Sequence, residues 1–387
     1  MSQIPKRILP TIVFAQFAGT SLWFAGNAIL PAIQKSWDLP DNAVANITSS
    51  VMLGFIFGTF LFALISIADR FKPSRVFLIC AALGALSNIA ILVLPESYLL
   101  LLLGRFFTGL FLAGIYPVGM KIASDWFSSN LGKALGYLVG ALVLGTAFPH
   151  LLNYAGAGVS WSAVLIGTSS MAVVGGILMV TLVGDGPHRK IGSRFEPRRL
   201  FDVFKIRDFR SAAFGYFGHM WELYAFWAFL PVILAYYNEL NGTTLNVSLW
   251  TFIIIAIGAV GCIGGGISSL KIGSGKVAYR FLLASGLCCL ASPLFFSFHP
   301  YLFLSLLIIW GIVVIGDSAQ FSTLNAQTAP PEFKGTALTI VVSIGFLLTI
   351  PRIQHLGFLS QLIDTQWLLF ILVLGPIFGL IHTRKLT

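Results

Sequence analysis

Charge is what this chain has least of. Asp, Glu, Lys and Arg make up 10% of its 387 residues, against about a quarter in soluble domains, so a free-standing water-soluble fold is excluded. Cysteine is nearly as scarce. Cys80, Cys262, Cys288 and Cys289 each sit inside an apolar run with no paired ligand spacing, which argues against a disulfide framework or a zinc site and makes them small core residues. The six histidines join no nucleophile and base or metal-ligand set, so neither an embedded enzyme nor a bound cofactor is expected. Three Asn-x-Ser/Thr triplets, at Asn46, Asn241 and Asn246, are short enough to arise by chance.

Apolar sequence fills the chain instead. Hydrophobic residues are 57% of it and the mean hydropathy is +0.89. Twelve apolar runs centre near Trp23, Phe57, Leu86, Leu110, Val143, Val174, Leu223, Ile255, Leu287, Ile309, Ile344 and Leu372. Each has the roughly 20 residues that carry a helix across the hydrocarbon core. The expectation is an all-α polytopic membrane protein with twelve transmembrane helices. Only MSQIPKR stands before the first run, so no cleavable signal is expected and the first helix would serve as its own.

A net charge of +10 could suggest nucleic acid, but no aromatic residues interleave with a basic face and the charge sits in short loops. With the amino terminus inside, all of the 24 Lys and Arg except Lys35, Arg105 and Arg352 fall on the cytoplasmic side. That asymmetry predicts both termini in the cytoplasm of a multi-pass inner (plasma) membrane protein. Residues 184–210 hold eight Lys or Arg against four acids and are read as a cytoplasmic linker, whose RRLFDVFKI stretch could lie as a helix on the inner leaflet. It separates a six-helix bundle at 1–183 from another at 211–387. The bundles also match each other: Ser269 stands 200 positions beyond Asp69 in the corresponding loop, and Gly335 stands 203 beyond Gly132 in LGKALG and KGTALT. Two pseudo-symmetric six-helix halves around a midplane cavity suit a carrier that alternates access. A channel would instead need a ring of equivalent polar residues.

Two carboxylates stand where charge is costly. Glu222 in GHMWELYAFW and Asp317 in VIGDSAQF lie inside apolar runs, where a charge costs roughly 2.5–3.5 kcal/mol. Arg105 is the one basic residue deep within a run and needs a carboxylate, carbonyls or a ligand anion; Arg352 follows Pro351 near a helix end, where snorkelling and ligand contact are both open. Helical spacing groups the rest. Gln16, Thr20, Trp23 and Asn27 form one stripe, Arg105, Thr108, Leu112 and Tyr116 another, while His219 and Glu222, and Asp317 and Gln320, are each three apart. Trp221, Tyr224 and Trp227 lie near these polar faces, for packing or for stacking on a ligand. Shielded carboxylates and imidazoles exchange protons near neutral pH. Glu222 with His219 is therefore the candidate proton site, and Asp317 the second; Asp317 otherwise pairs with Arg105 or meets a cationic group of the solute.

The ADRFKPSR loop resembles the G-x-x-x-D-R-x-G-R-R signature of the major facilitator superfamily, keeping Asp69 and Arg70 with Ile65 and Lys72 in place of two glycines. GRFFTG, with Arg105 and Gly109, is similar to that superfamily's R-x-x-x-G element, and the resemblance spans essentially the whole chain. It implies a monomeric secondary transporter of a small organic solute, with Asp69 and Arg70 as a gating pair. It also implies a cavity lined by helices one, four, seven and ten, hence substrate contacts from Gln16, Trp23, Asn27, Arg105, Tyr116, Trp221, Tyr224 and Gln320, to which Arg352 on the eleventh is added as a candidate ligand contact. A cavity bearing Arg105 and carboxylates suits an anionic or zwitterionic metabolite in proton symport. The alternative is proton-antiport export of drugs or toxic metabolites, against which Ala141 stands where such exporters carry proline. The expected partners are thus solute, protons and lipid bilayer, without nucleic acid.

Overall fold

The computed structural model describes residues 4–34, 36–127, 131–156, 160–189, 202–330 and 334–387. The described residues form helices and turns only, and twelve helices are long and apolar enough to cross a membrane. They are span 1 (Ile8–Ile33), span 2 (Ala43–Leu64), span 3 (Pro73–Leu92), span 4 (Tyr98–Trp126), span 5 (Ala134–Ala155), span 6 (Ser162–Val183), span 7 (Arg207–Asn241), span 8 (Val247–Ile272), span 9 (Ser274–Phe295), span 10 (Pro300–Thr328), span 11 (Thr336–Leu359) and span 12 (Thr365–Thr383). All twelve runs read from the sequence are present.

The chain divides into two compact units, Met1–Phe195 and Glu196–Thr387. Each is built by the same device. In the first, a Cβ on Gly54 or Gly58 of span 2 would strike the carbonyl oxygens of Phe106 and Leu110, and one on Gly109 of span 4 would strike that of Val51. In the second, Gly261 and Gly265 of span 8 meet the carbonyls of Ile312 and Gly316, and Gly311 of span 10 meets that of Ile254. Lipid supplies no hydrophobic drive between helices, so such close backbone approach, which only glycine permits, supplies the packing.

Five spans are interrupted, span 12 at Leu368–Leu369 between two 3-10 turns. Span 1 unwinds at Ser21–Phe24, span 4 at Ala113–Ile115, span 8 at Ile257 and span 10 at Asp317. In span 4 the cause is Pro117, which has no N–H to give and whose ring clashes with the Ala113 carbonyl. Span 7 runs unbroken for 35 residues.

On the loop between spans 2 and 3, Arg70 is exposed. The side chain of Asp69 lies outside what the structure describes, as do Lys35 and residues 190–201; the repeat positions Gly132 and Gly335 each lie in the first turn of a helix, Leu131–Ala155 and Lys334–Leu359. Of the RRLFDVFKI stretch, Asp202–Lys205 form a single 3-10 turn, with Lys205 Nζ 2.7 Å from Asp202 Oδ1. The loop is tied instead by Asp185 and Arg189. Asp185 Oδ1 accepts from Ser74 Oγ at 2.9 Å at the start of span 3, where a carboxylate is favoured by the helix dipole, and Arg189 Nη2 donates to Phe71 O at 2.8 Å.

Candidate functional site

In the second unit, span 7 carries two buried ionisable side chains, His219 and Glu222, each 1% exposed. His219 Nδ1 lies 2.8 Å from Asp317 Oδ1, with both side chains 1% exposed. Asp317 Oδ2 and His219 Nε2 have no hydrogen-bond partner among the described residues. The backbone break in span 10 falls on Asp317 itself, and buried Gln320 follows in the first turn after it. A buried pair that still offers one free oxygen and one free ring nitrogen can take up or release a proton or a ligand group.

Glu222 turns elsewhere. Its Oε1 accepts from Trp310 Nε1 at 2.8 Å, from Ser285 Oγ, and from Cys289 Sγ at 3.4 Å. Three donors on one carboxylate oxygen anchor span 7 to spans 9 and 10, each bond strengthened by the charge it meets. The sequence spacing groups His219 with Glu222; the structure pairs His219 with Asp317.

Arg352 is buried in span 11, so it does not snorkel. Its guanidinium lies 5.3 Å over the Trp221 ring and its Nη1 is 3.2 Å from His355 Nδ1. Arg352 Nε and Nη2, and Trp221 Nε1, have no hydrogen-bond partner among the described residues. A buried cation without a counterion is costly, and stacking on indole offsets only part of that cost. Tyr224 packs edge-on to Trp227 at 5.4 Å and against Phe346 at 5.1 Å.

In the first unit Arg105 is fully buried. Its Nη1 donates to Asn88 Oδ1 at 2.8 Å, and its Nη2 donates to the carbonyls of Leu22 at 2.8 Å and Trp23 at 2.6 Å. Those carbonyls are the ones freed where span 1 unwinds, so the guanidinium caps the broken helix. Asn88 is held in turn by Thr168 and Ser169, each at 3.1 Å. Both of the Nη groups that a ligand anion would need are thus occupied by this unit's own oxygens. Around the break, Trp23 packs on Phe55 at 4.8 Å, and Asn27 Nδ2 donates to Thr48 Oγ1 at 2.7 Å. Both amide atoms of buried Gln16 are unpartnered among the described residues. Tyr116, half-buried, opens the second half of span 4.

Asn88, Ser285 and Trp310 were not singled out from the sequence, and Cys289 was read there only as a small core residue. One signal existed: Ser285, Cys289 and Ser292 recur at i, i+4 and i+7 along span 9.

The sequence profile of the Major Facilitator Superfamily matches residues 12–351, and the chain belongs to that family. Among solved structures the fold is similar to a bacterial homologue of the human lysosomal transporter Spinster, in an inward-facing, unoccupied conformation, at a TM-score of 0.75 and 14% identity over 100% of this chain and 98% of that one. It is also similar to the nucleoside transporter NupG, at 0.72 and 12% identity over 97% of each chain. At such identities these likenesses speak for the fold. No match was found among curated proteins. Membership of that family, with twelve helices fit to cross a membrane, makes this a multi-pass membrane transporter.

Proposed function

We propose that this transporter moves a small organic solute bearing an anionic group, by alternating access and in symport with protons. The observation that carries the reading is Arg352, a buried guanidinium stacked on Trp221 with two nitrogens unpartnered. An anionic solute group would complete its hydrogen bonds and neutralise it. Gln16, Asn27, Tyr116, Tyr224 and Gln320 supply the lesser polar and aromatic contacts, Trp23 packing among them. Proton coupling is assigned to the His219–Asp317 pair, whose oxygen and ring nitrogen are left without hydrogen-bond partners among the described residues, with Glu222 holding span 7 in place. Arg105 acts by capping span 1 rather than by touching the solute. Asp69 and Arg70 are read as the charges that favour the state closed on the linker side. The setting is a plasma membrane, inner in a bacterium, with both termini cytoplasmic and the monomer as working unit.

A thermal-shift screen of the purified protein against anionic, zwitterionic and cationic metabolites, followed by counterflow of the hits in proteoliposomes, tests the proposal. Stabilisation and counterflow confined to anionic solutes, and lost in Arg352→Ala, are expected. Hits that are cationic, or that persist in Arg352→Ala, would overturn it.

A further inference from the structure

Where span 7 begins and span 12 ends, Arg207, Arg210, Ser211, His382, Arg384 and Lys385 line an open cleft of about 220 Å³. That is several times the ~30 Å³ share of a water in the liquid, room enough for a phosphate group. No carboxylate lines it among the described residues. The acidic side chains nearest in sequence are Asp208, in the same helical turn but outside the cleft, and Asp202, which holds Lys205 at 2.7 Å. Arg210 Nη1 donates to Phe204 O at 3.2 Å, and His382 Nδ1 lies 2.8 Å from Phe378 O, which leaves Nε2 as the ring's remaining polar atom. Arg207, Arg384 and Lys385 make no ion pair among the described residues. Arg207 and Arg210 also occupy the first turn of a 35-residue helix, the end at which the dipole disfavours cations. Like charges gathered there repel one another until an anion arrives.

A second feature says what kind of anion. Leu374, Ile377, Phe378 and Ile381 recur at i, i+3, i+4 and i+7 on span 12, are 56%, 45%, 40% and 54% exposed, and end at the cleft, whose wall includes Ile381. On a membrane-crossing helix an exposed apolar stripe faces acyl chains. A molecule whose chains lie on the stripe places its headgroup phosphate among the cations. We propose that this cleft binds the phosphate of an anionic phospholipid, the acyl chains running along span 12.

Native mass spectrometry of the full-length protein in detergent, titrated with phosphatidylglycerol, phosphatidylcholine or inorganic phosphate, tests this. Phosphatidylglycerol is expected to bind and phosphatidylcholine to bind far more weakly, since the choline cation is repelled by the cleft. Arg207→Gln with Arg384→Gln should raise the apparent Kd for phosphatidylglycerol about thirtyfold, and Lys385→Gln alone, a single exposed side chain, about fivefold. Lys72→Gln with Arg75→Gln removes two exposed charges from the first unit, outside the cleft, and should change nothing. Equal loss in that control pair, equal binding of phosphatidylcholine, or no loss in Lys385→Gln and the arginine pair would overturn the site. Displacement of phosphatidylglycerol by inorganic phosphate would overturn the lipid and point to a soluble phosphate compound.

Discussion

His219 Nδ1 and Asp317 Oδ1 stand 2.8 Å apart at the very residue where span 10 breaks, while Glu222, one turn along from His219, is held by three donors from other helices. The two carboxylates first read as alternative proton sites therefore differ in kind. One has a free oxygen and sits at an interruption in the backbone. The other is tied into the packing of its unit.

Glu222→Gln is expected to lower stability and leave coupling in place. The amide keeps one acceptor oxygen but loses the charge that strengthens the bonds from Trp310 and Ser285, a loss of about 1–3 kcal/mol. Thermal unfolding in detergent, followed by accumulation assays on the folded fraction, checks this. Full stability with abolished accumulation would return the coupling role to Glu222.

Arg352→Ala should weaken binding of an anionic solute by roughly 2–5 kcal/mol, the scale for stripping one partner from a desolvated charge pair. Arg352→Lys keeps the charge but loses the planar stack on Trp221 and should fall between. Calorimetry with a solute identified by counterflow decides; unchanged affinity in the alanine variant removes Arg352 from the site.

Arg105→Lys should behave in the opposite way. A single ammonium cannot serve Asn88, Leu22 and Trp23 with the geometry of the guanidinium, so unfolding should come about 1–3 kcal/mol earlier while solute affinity of the folded protein stays the same. A drop in affinity at unchanged stability would show that Arg105 touches the solute.

Packing of span 8 on span 10 gives a sharper contrast. Gly261→Ala places a methyl against the Ile312 carbonyl and should destabilise by more than ~1 kcal/mol, the lower range for overpacking, whereas Gly264→Ala has nothing within 4 Å to meet and should be neutral. Melting temperatures of the two variants, purified side by side, test it; equal melting would mean the helices can part without loss.

The twelve spans were legible because each is a long uninterrupted apolar run, and the repeat because two loop positions recur at nearly constant offset. Partner choice at the polar residues was not. His219 and Glu222 are three apart on one helix, which leaves them about 60° apart in azimuth and ~4.5 Å apart along the axis. That separation is small enough to read as one face and large enough to meet different neighbours. Arg105 was legible as a cation needing oxygens, but the carbonyls that satisfy it appear only when span 1 unwinds, and nothing in SLWFAGN marks that break as Pro117 marks the one in span 4. The glycine contacts were hidden for a similar reason: a glycine's neighbour on another helix is set by packing alone.

Solute accumulation by proteoliposomes under an inward proton gradient, compared between the parent protein and Asp317→Asn, tests the central claim most directly. The amide mimics a permanently neutral carboxyl, so Asp317→Asn is expected to exchange solute down its gradient at a near-normal rate and to accumulate none against it. Accumulation at the parent level with the parent pH dependence would contradict the assignment of proton coupling to the His219–Asp317 pair.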